Sequence, residues 1–342
     1  MGNCIPRLRR TRGEAMVTSR DVARLAGVSQ ATVSRVLSSS SKLSPDTVAK
    51  VRAAVETLGY VPHAGAQAMK TRRTRTVGVV VNDLTNPFYP EILDEVTREL
   101  DAAGYRVVIW NAGGDSHVDA LAAIRERAVD GVVFTTATEE SPELQAAIEQ
   151  NSPIVLINRI VEGLNCDQVA SENVAGGAAV ADYLAAHDRT TAALIGGTDR
   201  ASTSRDRCTG FLNRMAEHGY PVPADLQFGG DFSHDRAVRI VDELLQQDPR
   251  PMAVFCVNDY MAFGALDALR KNGLSAPADC WVIGYDDVDM ASWESFGLTT
   301  VRQPSREMAR VGVRMLLDRL QKPDLPAQQV RFPGRLIHRR SA

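Results

Sequence analysis

Between Ser19 and Gly59 apolar residues recur at helical spacing, and no stretch alternates as a half-buried strand does. Val22, Leu25 and Ala26 share one face at i, i+3, i+4, with Ser19 as the expected N-cap and Gly27 supplying a positive-φ turn. Ser29 is placed to cap a second helix whose Val33, Val36 and Leu37 face inward. The polar stretch SSSSK leads to Ser44 as a cap and Pro45 at the first helical position, followed by the stripe Val48, Val51, Val55 and Leu58 and a stop at Gly59. Three short helices so closely spaced predict a small all-α bundle.

From Thr76 the texture changes. TVGVVV, YRVVIW, GVVFTT, PIVLIN, TAALIGG, MAVFCV and CWVIGYD are short continuous apolar runs rich in β-branched residues, as strands buried on both faces require. Amphipathic stretches lie between them, among them EILDEVTRELDAAG, AAIRERAV, AAVADYLAAH, RDRCTGFLNRMAEHG and DRAVRIVDELLQQ. The repeat is βαβα, which implies α/β lobes of parallel sheet with right-handed crossovers. Residues 76–342 exceed one comfortable sheet, so two doubly wound lobes are expected. Ligands of such sheets sit beyond the carboxyl ends of the strands, and two facing lobes would enclose a cleft there.

The pattern therefore divides the chain into a basic leader (1–18, expected to lack structure, with Met16 as a second candidate start), a helical head (19–61), a linker (62–75) and a body (76–342). Within the body, one lobe is expected over about 76–172 and 304–331, the other over about 173–303 and 332–342. The stretch across this junction, VPHAGAQAMKTRRTR (61–75), is Ala-rich enough for a helix, but Gly65 costs roughly 1 kcal/mol relative to Ala, so it is expected to order only on a partner.

Charge sharpens this division. Residues 1–75 hold 14 Lys or Arg against 4 Asp or Glu, a net of +10, whereas the remainder holds 25 against 38, a net of −13. A basic head on an acidic body points to a polyanion as the head's partner. The second helix carries Gln30, Ala31, Thr32, Ser34 and Arg35 on its outer face and no acid. Long Gln and Arg side chains near a helix N-terminus suit base edges in a major groove, and Ser29, Thr32 and Ser34 suit phosphates. The two-helix unit thus reads as a helix-turn-helix.

The segments DVARLAGVSQATVSRVL and SPDTVAKVRAAVETLGYVP closely resemble the DNA-binding head of the LacI/GalR (lac repressor) family of bacterial regulators. VGVVVNDLTNPFYPEI, AVFCVNDYMAFGAL, VIGYDDV and LTTVRQP extend the resemblance over roughly residues 17–341. It implies a transcriptional regulator, expected to be a repressor, with a periplasmic-binding-protein-like body that holds a small effector and forms a homodimer on a pseudo-palindromic operator in double-stranded DNA. By matching position it implies Gln30, Ala31 and Arg35 as base readers, and Met69 where the family wedges an apolar side chain into the minor groove. Tyr60 and Pro62 fall where the head joins the hinge, which departs from the family's usual pattern at His63, Gly65 and Met69.

For the effector site the resemblance implies Asn86, Phe88, Tyr89, Thr203, Arg207, Phe232, Asn258 and Asp286, with Ala201 and Ser202 in a loop that tunes specificity. A guanidinium, an amide and a carboxylate match the paired donor and acceptor character of sugar hydroxyls. A sugar or sugar derivative is therefore the expected effector, with a purine as the competing class. Enzyme chemistry finds no support: GxSxG, GxxxxGK[ST], HExxH and GxGxxG are absent, and no histidine or cysteine pair has metal-ligand spacing. Asp286 and Asp287 are adjacent, so on a strand they face opposite ways rather than forming an acid/base pair. No cofactor is expected. The five scattered cysteines read as small buried hydrophobes of a reducing compartment. Without a signal peptide or apolar span the protein is expected in the cytoplasm and off the membrane, which disfavours a sugar-transport protein. With no heptad helix after RRSA, a dimer is expected rather than a tetramer.

Overall fold

A computed structural model describes residues 17–37, 43–61, 73–81, 83–111, 116–138 and 142–342. The chain divides into two units, Met1–Arg72 and Arg73–Ala342. In the first unit, helices α1 (Ser19–Ala26), α2 (Gln30–Leu37) and α3 (Pro45–Leu58) enclose Val22, Ala23, Val33, Val36, Val51 and Ala54. The cap of α1 is Thr18 rather than Ser19. Asp21, three residues on, accepts from the Thr18 amide at 3.0 Å and from its hydroxyl at 2.7 Å, closing a box that Ser19 has no acid to complete. Gly27 adopts φ 64° as the C-cap of α1; a Cβ there would touch nothing, so glycine is required by the backbone angle alone. Ser29 accepts from the Thr32 amide at 3.1 Å, and Ser44 from the Thr47 amide at 3.3 Å.

Leu25 corrects the expected core: it is 54% exposed. Ala23 is inside, so the buried face is centred between Val22, Ala23 and Ala26, leaving Leu25 about 110° around the helix.

The second unit holds two six-stranded sheets. The first contains β1 (Thr76–Val81), β2 (Arg106–Asn111), β3 (Gly131–Phe134), β4 (Ile154–Ile157), β5 (Asp167–Ser171) and β11 (Gln329–Phe332), in the order β11-β5-β4-β3-β1-β2. The second contains β6 (Ala192–Gly196), β7 (Gln227–Gly229), β8 (Ala253–Cys256), β9 (Trp281–Asp286), β10 (Thr299–Arg302) and β12 (Arg335–Ile337), in the order β12-β10-β9-β8-β6-β7. Pairing is parallel throughout except between β10 and β12. Each sheet is doubly wound, with strand order reversing beside β1 and β6.

The period-2 alternation of β1 shows how a continuous apolar run serves both faces. Val77, Val79 and Val81 pack with Ile92, Val96 and Leu100 of helix Phe88–Ala102 and with Val313 and Leu316 of helix Ser305–Gln321. Val80 joins Phe134, Leu121 and Leu144 on the opposite side. One run departs from the expectation of burial on both faces: β2 is an edge strand, so Val108 and Ile109 stand 42% and 45% exposed. Cys166, Cys256 and Cys280 are buried thiols without a disulfide.

The polypeptide passes between the lobes after β5, after β10 and between β11 and β12. Polar bonds also join the lobes directly: the Ile160 amide donates to Ser202 Oγ at 3.2 Å, and the Asp289 amide to Glu91 Oε1 at 2.8 Å.

Candidate functional site

Two surfaces carry the candidate chemistry. In the head, Gln30, Ala31 and Arg35 are exposed on α2, with Ser29 exposed and Thr32 and Ser34 half-buried. Inward Val33 and Val36 fix the rotation of the helix, so the polar positions between them face outward. The Gln30 amide is held by Ser19 Oγ at 2.8 Å, which orients it before any partner arrives. Ser29 and Thr32 hydroxyls lie 2.9 Å apart and secure the helix start. Met69, with His63 and Gly65, lies outside the described residues.

In the body, the predicted effector residues all follow strand carboxyl ends. Asn86, Phe88 and Tyr89 follow β1; Thr203 and Arg207 follow β6; Phe232 follows β7, Asn258 β8, and Asp286 closes β9. All but Phe232 are buried, and Phe232 is half-buried. Asn86 Oδ1 accepts from the Phe88 amide at 3.1 Å, and Asn258 Oδ1 caps the helix Asp259–Lys271 through the Met261 amide at 2.9 Å. Both asparagines therefore spend their carbonyls on the fold and keep their amide hydrogens for another acceptor. Phe88 and Tyr89 rings meet edge to face at 5.6 Å.

Arg207 is the hub. It donates to Asn173 Oδ1 at 2.9 Å, to the Val257 carbonyl at 2.6 Å and to Asp286 Oδ1 at 3.2 Å, and its guanidinium lies 3.7 Å from the Tyr285 ring centroid. It can reach because its helix presses against Asn173–Ala186 at Gly177, where a Cβ would fall 2.1 Å from the Arg207 carbonyl oxygen. Gln303 donates to Asp286 Oδ1 at 2.6 Å and accepts from Ser171 Oγ at 2.7 Å, so the site is bonded to two of the interlobe crossings. Burial pushes the Asp286 carboxyl up to about 6 despite Arg207. Asp287 faces elsewhere, to Arg302 and to Arg339 at 2.6 Å.

Sequence reasoning missed four polar residues just beyond strand carboxyl ends, two of which, Arg159 and Gln303, bond to the predicted set. Arg159, just beyond β4, bonds Thr203 Oγ1 across the lobes and reaches the Tyr89 hydroxyl. Asn158 beside it and Thr136 beyond β3 each hold a buried oxygen without a partner. Gln303 follows β10. The available signal was position: a charged or amide residue immediately after an apolar strand run, as in PIVLINR and LTTVRQ, sits at the ligand end of a parallel sheet. Among the described residues no cluster of His, Cys, Asp and Glu could hold a metal ion, and no helix is long and apolar enough to cross a membrane.

A helix-turn-helix head on a two-lobed body with a polar interlobe cleft defines a ligand-responsive DNA-binding regulator. Residues 18–63 match the profile "Bacterial regulatory proteins, lacI family", and residues 181–342 match "Periplasmic binding protein-like domain". The chain is 35% identical over 309 residues to the HTH-type transcriptional repressor PurR of Vibrio parahaemolyticus, covering 89% of this chain and 92% of that protein. It is 33% identical over 330 residues to the ribose operon repressor of Escherichia coli, covering 96% and 100%. The lac repressor dimer bound to operator and the anti-inducer ONPF superposes with a TM-score of 0.85 at 26% identity, over 96% of this chain and 99% of that one. The protein belongs to the LacI family of bacterial transcriptional regulators: it is a DNA-binding repressor-type regulator and not an enzyme.

Proposed function

We propose that this regulator acts in the cytoplasm as a homodimer on a pseudo-palindromic operator, and that a sugar or sugar derivative bound in the interlobe cleft sets its affinity for that operator. Gln30, Ala31 and Arg35 read bases, Ser29, Thr32 and Ser34 meet phosphates, and Met69 enters the minor groove. Asn86, Phe88, Tyr89, Thr203, Arg207, Phe232, Asn258 and Asp286 hold the effector. The observation that carries the effector reading is the Arg207–Asp286–Gln303 array, whose donors and acceptor lie close together, with Tyr89, itself packed on Phe88, within electrostatic reach of Arg207 and Asp286. Sugars present such paired donors and acceptors on adjacent hydroxyls, with apolar ring faces for aromatic contact.

The name of the ribose operon repressor supports the same reading. Effector and operator each favour one arrangement of the protein, so each changes the other's affinity. A thermal-shift screen of sugars, polyols and nucleobases on the full chain tests it. A ligand at 100 times its Kd stabilises by about 2.7 kcal/mol, and the stabilising class is expected to be the sugars. Stabilisation by nucleobases alone would replace the sugar reading with the purine one.

A further inference from the structure

Among the described residues two arginines are fully buried, Arg159 and Arg207, and they are paired very differently. Arg207 has its carboxylate, Asp286 at 3.2 Å. Arg159, 5% exposed, has only neutral partners: the Thr203 hydroxyl, the Tyr89 hydroxyl and the Phe232 ring, whose centroid is 5.8 Å from its guanidinium carbon. Its Nε is buried with no acceptor.

The carboxylate that attracts Arg159 is Asp286, already shared with Arg207 and with Gln303 at 2.6 Å, and Arg207 repels it. The other carboxylates nearby are committed elsewhere. Asp259 accepts from Thr300 Oγ1 at 2.5 Å and from the Val288 amide at 2.9 Å, and Glu91 accepts from the Asp289 amide at 2.8 Å. Arg159, Arg207 and Asp286 together thus carry a net charge of +1 when all three are ionised, and neither Asp259 nor Glu91 bonds to Arg159.

A buried cation without a counter-ion is costly, and a neutral hydroxyl can satisfy its hydrogen bond but not its charge. We infer that the effector is anionic, with a phosphate or carboxylate on a sugar-sized skeleton held by Arg159; this rests on the cleft being the effector site. A guanidinium offers such a group paired, charge-assisted bonds, and the unpartnered Nε is a donor for one of them. The unpartnered oxygens of Asn158 and Thr136, on the same lobe, are acceptors for hydroxyls of the remaining skeleton.

The test compares matched probes on the full chain by calorimetry and thermal shift: D-ribose with D-ribose 5-phosphate, and D-glucose with D-glucose 6-phosphate and D-gluconate, with inorganic phosphate alone as a control. At least one anionic sugar is expected to bind about tenfold or more tightly than its neutral match, from charge-assisted pairing. Arg159→Gln should abolish that preference, and Asn158→Asp, which adds a carboxylate beside Arg159, should shift it toward the neutral sugar. Without any probe, Arg159→Met should raise the Tm, where a merely structural arginine would lower it. Equal or tighter binding of the neutral sugars, no binding of any anionic sugar, or a preference that survives Arg159→Gln overturns the inference. Neutral-sugar binding that Asp286→Ala abolishes would overturn the charge assignment and leave the cleft as the effector site. Stabilisation that persists in both Asp286→Ala and Arg159→Gln would overturn both.

Discussion

Among the described residues, those assigned to DNA run from Ser29 to Arg35, at the start of and along one short helix, most of them exposed, and their geometry is set by which neighbours are buried. The residues assigned to the effector come from loops after strands in both lobes, and nearly all are buried. The first surface is open to solvent and ties its polar groups only to near neighbours, Gln30 to Ser19 and Ser29 to Thr32. The second has already paired most of its polar groups with one another. A helix face needs only local order to present its contacts, whereas a cleft needs the whole sheet topology, and its buried charges make it sensitive to single changes.

The largest expected effect follows from that burial. Arg207→Ala takes one donor each from Asn173 Oδ1, the Val257 carbonyl and Asp286, leaves the buried Asp286 carboxyl without its cation, and should destabilise the body by about 3–5 kcal/mol in urea unfolding. The head forms a separate unit, so its DNA-reading face should survive this change at temperatures where the body stays folded. Loss of operator base preference in a folded Arg207→Ala protein would break the comparison.

Proton linkage comes next. Burial pushes the Asp286 and Glu91 carboxyls up to about 6, so the folded body holds these protons more tightly than the unfolded chain does. That contribution is present below the unfolded carboxyl value of about 4 and is lost as pH rises through about 6. Body stability should therefore fall between about pH 4 and pH 6, and Asp286→Asn should flatten the slope; an unchanged slope would remove Asp286 from its cause.

On the exposed side, Arg35→Ala should cost roughly 1–3 kcal/mol on a cognate site and relax preference at one base position, with no change in body Tm. A uniform loss on all sequences, with a lower salt slope, would make Arg35 a phosphate contact instead. The smallest effect is expected at Leu25. Leu25→Ala should change head stability by less than about 0.5 kcal/mol, while Val22→Ala, at a fully buried position, should cost roughly 2 kcal/mol.

These predictions follow what was and was not legible in the chain. The strand runs were legible because strands with helices on both sides are continuously apolar, and TVGVVV is strand β1 to the residue. Short strands such as Gln227–Gly229 and Arg335–Ile337 were not, because edge positions carry half-exposed, mixed sequences. The α1 cap was misassigned because Thr18 and Ser19 are both good caps, and only the Asp21 side chain decides between them. In the cleft, the residues carried by family resemblance follow strand ends, but Arg159 and Gln303 escaped notice because their roles depend on Thr203 and Asp286, 44 and 17 positions away and farther than any periodicity links. Exposed function on one helix is readable from periodicity; buried function assembled from both lobes is not.

The most direct test of the link between the two regions is a reciprocal titration on the full chain. Operator Kd is measured with and without a ligand whose stabilisation depends on Asp286, and that ligand's Kd is measured with and without operator. The account predicts that both ratios differ from one and equal each other, and that Asp286→Ala abolishes the effect while operator binding remains. A ligand that binds the cleft and leaves operator Kd unchanged would contradict it.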